Sequence, residues 1–351
     1  MASKPAPPPP IARETMLALL TVTSEFATAR PWELMADCDV VGLTDPVSCE
    51  IRIASILGNG GEVFGVAIYR RTNGVRWIMN VLNDPEEGLN MDDAVFMDAL
   101  KIEFMPKNEM PKEDLKMLKA LDFKPTGRGV GWPQFQSSLP GWLPWYIDQT
   151  EAQQLLLDLP RLTNFCSLFQ QHPNLFEKHG PSEIPFLPSP MPDQPLKLED
   201  LDWRTLIIPP ETFEPFKPSD VELSQLRSLK HDPKAGYEYG CRVMMGAMVL
   251  EKGRPSFSRV SLLVEHQQKV ILGFNLSLAS QSFVECAGSG LVEAMIKLGT
   301  IPGVLLIDDN RLEPILGPLC DLLNIDLVPS KLPGLEDAKA SMENYMQAGR
   351  V

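Results

Sequence analysis

Much of the usual equipment of catalysis is scarce in this chain. Its four histidines, at 172, 179, 231 and 266, are scattered, and three fall in turn or linker words, so no Ser/His/Asp or Cys/His arrangement can be argued. The six cysteines, at 38, 49, 166, 241, 286 and 320, include no Cys-x-x-Cys pair, and none has a histidine at ligand spacing, which argues against a zinc site. Cys241, Cys286 and Cys320 sit inside apolar runs and read as reduced core residues of a cytoplasmic protein. No run approaches the ~18 apolar residues of a membrane span. Prolines fill residues 5 and 7–10, where a secretory signal would need an apolar helix. Gly288 and Gly290 follow a helix start and not a strand, so they fail as a phosphate loop.

Positive charge is also in deficit. The chain has 32 Lys and Arg against 46 Asp and Glu, a formal charge of −14, and neither half has a basic surplus: 17 against 26 in residues 1–199, 15 against 20 in residues 200–351. A field of that sign repels phosphate backbones and anionic membranes, so a protein is the expected partner.

What the chain has in excess is proline, 33 residues clustered in the first ten positions, around 133–144 and at 181–218. At 351 residues it is long for one core. The expected layout is a disordered Pro-rich tail at 1–10, an N-terminal α+β domain at 11–171, a Pro-rich linker at 172–195 and a second domain at 196–351.

In the first domain, Met16, Leu19, Leu20, Thr23 and Phe26 share one side of an amphipathic helix at 11–29. A β-meander is expected over 47–82. It turns at Asn59-Gly60-Gly61, and again at Asn73-Gly74 into a hairpin flanked by Tyr69 and Trp77, since Asn-Gly suits the positive φ of a tight turn. A helix at 91–100, a strand at 102–105, a helix at 111–121 and a helix at 150–169 with cap-like Asp148 and Thr150 follow. Between the last two lies an aromatic and proline segment. Trp132, Phe135, Trp142, Trp145 and Tyr146 are either a peptide-binding surface or a seal on the edge of the core.

The second domain predicts a strand at 206–208, a helix at 219–229, then strands at 239–250, 259–265 and 269–278. Helix 281–298, strand 304–307, helix 312–323, strand 325–328 and helix 335–346 complete it. This order, three strands and then alternating helix and strand, is that of the ribonuclease-H-like fold. The words resemble the core domain of retroviral-type integrases and transposases: Leu262-Leu263-Val264-Glu265 before Lys269-Val270-Ile271-Leu272-Gly273-Phe274, then Gly299-Thr300-Ile301-Pro302-Gly303-Val304-Leu305-Leu306-Ile307-Asp308-Asp309-Asn310, and Leu322-Leu323-Asn324-Ile325-Asp326-Leu327-Val328-Pro329. The whole chain also resembles uncharacterised bacterial two-domain proteins, through Trp32-Glu33-Leu34, Gly61-Glu62-Val63-Phe64-Gly65-Val66-Ala67-Ile68-Tyr69 and Pro140-Gly141-Trp142-Leu143-Pro144-Trp145. That second likeness implies no activity.

Two-metal phosphoryl transfer needs carboxylates from different elements to converge on two Mg²⁺ about 4 Å apart. The integrase resemblance puts Asp308 at the second acid and Glu336 or Glu343, seven residues apart and so on one helix face, at the third. The first acid belongs on strand 239–250, which contains no carboxylate. The expectation is therefore a non-catalytic interaction module with a degenerate ribonuclease-H-like domain, without cofactor or metal. The alternative is a Mg²⁺- or Mn²⁺-dependent nuclease or phosphoryl-transfer enzyme in which Glu238, Glu251 or Glu265 replaces the first acid. Asp308-Asp309 also reads as an N-cap for the helix that follows.

Overall fold

A computed structural model describes residues 5–83, 95, 97–125, 131–180, 182–192 and 194–348, with backbone alone at 245–247 and 346–348. The chain is α+β and divides into two compact units. An N-terminal unit comprises Ala6–Pro140 and Pro144–Pro209, and a C-terminal unit comprises Gly141–Leu143 and the chain from Pro210 onward. Among the described residues no helix is long and apolar enough to cross a membrane.

The N-terminal unit is built on seven strands: β1 (Val41–Thr44), β2 (Ile51–Leu57), β3 (Phe64–Arg70), β4 (Ala99–Met105), β5 (Trp132–Ser138), β6 (Glu183–Phe186) and β7 (Asp202–Thr205). They lie in the order β5-β4-β3-β2-β1-β6-β7, antiparallel throughout except where β1 runs parallel to β6. Alternation sends successive side chains to opposite faces. Ala54, Val66, Ile68, Leu100 and Ile102 face α1 (Arg13–Ala29) and the long α4 (Gln149–Gln171), whereas Ile53, Ala67, Tyr69 and Ala99 face α2 (Arg71–Asn83). The five apolar-face residues expected for the first helix are all buried. Asp148 caps α4 in a full capping box: its carboxylate accepts the Glu151 N–H at 2.9 Å, and that of Glu151 accepts the Asp148 N–H at 3.0 Å.

Several expectations for this unit need correcting. No hairpin closes at Asn73-Gly74, because residues 71–83 are helical. Val75, Ile78 and Met79 have helical spacing and are buried, and burying that face outweighs the local turn preference of Asn-Gly. Arg71, at φ 54°, turns the chain out of β3, and its N–H is taken by the Glu50 carboxylate at 3.1 Å. Gly74 is needed for space and not for positive φ, since a Cβ there would lie 2.0 Å from the Asp98 carbonyl oxygen. Tyr69 and Trp77 still meet, stacked at 5.3 Å, but as strand against helix.

Residues 91–94 and 96 of the helix expected at 91–100 lie outside the described residues, and 99–100 belong to β4, which is longer than the predicted 102–105. The aromatic segment holds β5, an edge strand, where a proline such as Pro133 is tolerated. The helix at 111–121 is present as α3 (Lys112–Ala120). Residues 172–195 are not a linker, because β6 lies within them and β7 follows in the same sheet; the units divide between Pro209 and Pro210. The strand expected at 206–208 in the second domain is absent: those residues are not in a strand, and the preceding β7 ends at Thr205 and belongs to the N-terminal sheet. Of the tail expected to be disordered, residues 5–10 are described, and Pro8 and Pro9 line a cavity with Met16 and Met117.

The C-terminal unit follows its predicted order closely. α5 (Asp220–Ser228) leads into β8 (Lys230–Glu251), β9 (Arg254–Glu265) and β10 (Ile271–Ser277). α6 (Phe283–Leu298), β11 (Thr300–Ile307), α7 (Leu312–Leu323), β12 (Asp326–Pro329) and α8 (Pro333–Ala348) complete it. The sheet order is β10-β9-β8-β11-β12, with β8, β9 and β10 antiparallel in turn and β8, β11 and β12 parallel. Tyr237, Tyr239 and Cys241 of β8 face α6 and α7, while Val260, Leu262 and Val264 of β9 face α8. At its start α6 carries a capping box between Ser282 and Glu285, and at its end Gly299 sits in the left-handed region at φ 74°.

Candidate functional site

The α8 face of β8 carries an unusual polar row. Period-two alternation places Glu238, Gly240 and Arg242 on the face opposite Tyr239 and Cys241. Asp308 follows the last residue of β11, the strand next to β8, and Glu336 lies in the first turn of α8. The Arg242 guanidinium joins them, Nη2 donating to the Asp308 carboxylate at 2.5 Å and Nε to that of Glu336 at 3.0 Å. Gly240 leaves the room for it: a Cβ there would stand 2.9 Å from Arg242 Nη1. Burial alone would depress the guanidinium's pKa, but hydrogen bonds and charge from Asp308 and then Glu336 raise it above its ordinary value.

The expected acids are therefore partly assembled. Asp308 and Glu336 converge through Arg242; Glu343 lies two turns further along α8, half-buried. Asp308 does not cap α7, as the Asp-Asp word suggested. The α7 N-cap is Arg311, with no side-chain cap bond, and Asp309 accepts both the Arg311 backbone N–H at 2.9 Å and its guanidinium at 2.8 Å. Capping fails because three residues separate Asp308 from the helix, and the nearer Asp309 takes the local turn.

The carboxylates considered as substitutes for the first acid have other partners. Glu238 is fully buried, accepting the Leu335 N–H at 2.7 Å with one oxygen and meeting His266 Nδ1 at 2.8 Å with the other. Glu265 and Glu251 accept backbone N–H groups, from Gln268 and Ser280. Among the described residues, no three His, Cys, Asp or Glu side chains come together as a metal ion requires. Beside Asp308 and Glu336 an open depression of about 640 Å³ is walled by Ile307 and residues 329–333.

Arg242 is the residue that sequence reasoning missed. Its signal was present, the single charged residue of the stretch 239–250, where a buried guanidinium requires an anionic partner; the strand itself starts earlier, at Lys230, and so includes Glu238.

Four of the five aromatic candidates belong to the N-terminal unit. Phe135 is buried in the N-terminal core. Trp132 is half-buried, edge-on to Phe123 at 6.0 Å and beneath the Lys107 ammonium at 5.5 Å. Trp145 stands edge-on to Tyr146 at 5.0 Å and exchanges backbone hydrogen bonds with Ser137. Trp142 belongs to the C-terminal unit, under the Arg254 guanidinium at 5.7 Å. Phe135 and Tyr146 line a common cavity, about 300 Å³ and mostly apolar, with Pro8, Pro9, Met16 and Met117. Burial raises the Tyr146 phenol pKa, with a smaller contribution from the charges of Asp114 and Glu113.

Residues 17–186 match a family model described as a domain of unknown function (DUF7309), and residues 222–343 match a second, also described as a domain of unknown function (DUF6930). No curated protein and no solved structure matches the chain. One matched stretch covers most of each unit, in keeping with a two-domain protein.

Proposed function

We propose that the chain is a non-catalytic interaction protein whose C-terminal unit is a degenerate ribonuclease-H-like domain. The fold part of this reading is supported by the sheet, in which a three-strand antiparallel meander is extended beside its first strand by two parallel strands, each reached through a helix. The loss of catalysis rests on Arg242. A guanidinium carries one positive charge and no open coordination position, yet it holds the two carboxylates, Asp308 and Glu336, that the integrase resemblance would assign to metal ions. It neutralises part of their charge but offers no coordination position at which a water could be activated. The acidic balance of both halves favours a protein partner over a polyanion, and the cytoplasm is the compartment that fits the free cysteines.

The test pairs metal binding with activity. Melting temperature is measured with and without Mn²⁺ for the parent and for Arg242→Ala, alongside cleavage of single- and double-stranded DNA and RNA. The parent is expected to show neither a Mn²⁺ shift nor cleavage, whereas Arg242→Ala, with its two acids released, acquires a Mn²⁺-dependent rise. Metal-dependent cleavage by the parent that disappears in Asp308→Asn would replace this reading with the phosphoryl-transfer alternative.

A further inference from the structure

Cys241 on β8 and Cys286 on α6 bring their sulfurs to 3.9 Å inside the C-terminal core. Both are free thiols, with residue exposures of 6% and 1%. A disulfide has an S–S length of about 2.05 Å, so each sulfur has to advance by about 1 Å.

The surroundings make the two thiols unequal. Cys286 is the fourth residue of α6, where first-turn N–H groups favour a negative charge. Its contact with Cys241 is the main influence lowering its pKa to about 7. Burial opposes this, while the Ser277 hydroxyl and the charge of Arg259 assist. Cys241 moves the other way, raised first by the same contact and then by burial. A thiolate beside a protonated thiol is the arrangement of an attacking and a resolving cysteine.

We propose that Cys241 and Cys286 form a dithiol site for hydrogen peroxide, oxidised to a disulfide that ties the central strand β8 to helix α6. The Cys286 thiolate attacks one peroxide oxygen; an S–O bond forms as the O–O bond breaks, leaving a sulfenic acid and a hydroxide that takes up a proton to become water. The Cys241 sulfur then attacks the sulfenic sulfur. The S–S bond forms as the S–O bond breaks, and the Cys241 proton leaves with the hydroxyl as a second water. Two thiols are oxidised and one peroxide is reduced.

The experiment uses the full chain with Cys38→Ser and Cys49→Ser, since those two thiols are exposed and would oxidise independently. It is treated with hydrogen peroxide under native conditions, denatured, counted for thiols and digested for mass spectrometry. The expected result is loss of half the remaining thiols, a Cys241–Cys286 linked peptide pair and full recovery with dithiothreitol. In Cys241→Ser the reaction should stop at a sulfenic acid trapped by dimedone. Retention of every thiol, absence of that linked pair, or cross-linking only at the rate of global unfolding measured in urea would overturn the proposal. The mapping on the parent decides the matter even where a serine variant fails to fold.

Discussion

Glu238 and Leu335 meet beneath α8, the wholly buried carboxylate accepting the Leu335 backbone N–H at 2.7 Å. That N–H is one of the first-turn donors a helix cannot satisfy itself, so Glu238 caps α8 from the sheet face on which the helix packs. Glu238→Gln keeps an oxygen for Leu335 and should cost no more than about 1 kcal/mol, whereas Glu238→Ala leaves a buried donor unpaired and should cost about 2–3 kcal/mol. Equal losses for the two variants in urea unfolding would remove the capping role.

Gly74→Ala should reverse the usual effect of such a change. In most helix interiors it stabilises by about 1 kcal/mol. At this position the added methyl meets the Asp98 carbonyl oxygen at 2.0 Å, so α2 has to shift from β4 and Tyr69–Trp77 stacking loosens. A loss of about 1–3 kcal/mol is expected from overpacking. A melting temperature at or above the parent's would refute the close approach.

These two positions also show where the chain is legible. The C-terminal unit reads well because its strands and helices differ in period, and because Ser282 with Glu285 and Gly299 punctuate α6 as local chemistry demands. Asn73-Gly74 misleads because a dipeptide's turn preference is weaker than burial of Val75, Ile78 and Met79, which depends on a sheet the dipeptide does not contain. β6 and β7 escape notice because they are four-residue strands amid prolines, and their pairing is long-range. In the candidate site, Asp308 and Glu336 can be picked out by motif, but the bond that joins them to Arg242 spans 66 and 94 residues, and no local pattern carries it.

Asp45 sets a pH dependence. The Ser48 backbone N–H above all holds its carboxyl well below the usual carboxylate range; burial opposes this, and the Val47 N–H and the Arg52 guanidinium add to the lowering. A group with a depressed folded pKa contributes stability above its unfolded pKa, near 4, and loses it as pH falls through the folded value. Asp45→Asn should therefore melt below the parent at pH 7, and the gap should narrow as pH falls from about 4 towards 2. A gap that is constant or widens over that range contradicts the assignment.

The strongest coupling in the N-terminal unit should lie between Arg52 and Asp158. The Arg52 guanidinium donates to Asp158 at 3.0 Å and to Asp45 at 3.0 Å, and Arg161 stands 3.5 Å from the same Asp158 oxygen. Arg52, Asp158 and Arg161 are all at most 4% exposed. Burial pushes the Asp158 carboxyl up, while Arg52 and then Arg161 pull it down, so the carboxylate depends on these cations to remain ionised. Removing one member leaves an uncompensated charge in the core, and Asp158→Leu or Arg52→Met alone should cost about 3–5 kcal/mol. The double substitution removes the attraction and the desolvation together, so it should cost less than the sum of the singles by about 2 kcal/mol or more. Urea unfolding of the four proteins in this cycle measures the coupling directly, and additive losses would mean that Arg161, not Arg52, holds Asp158 in place.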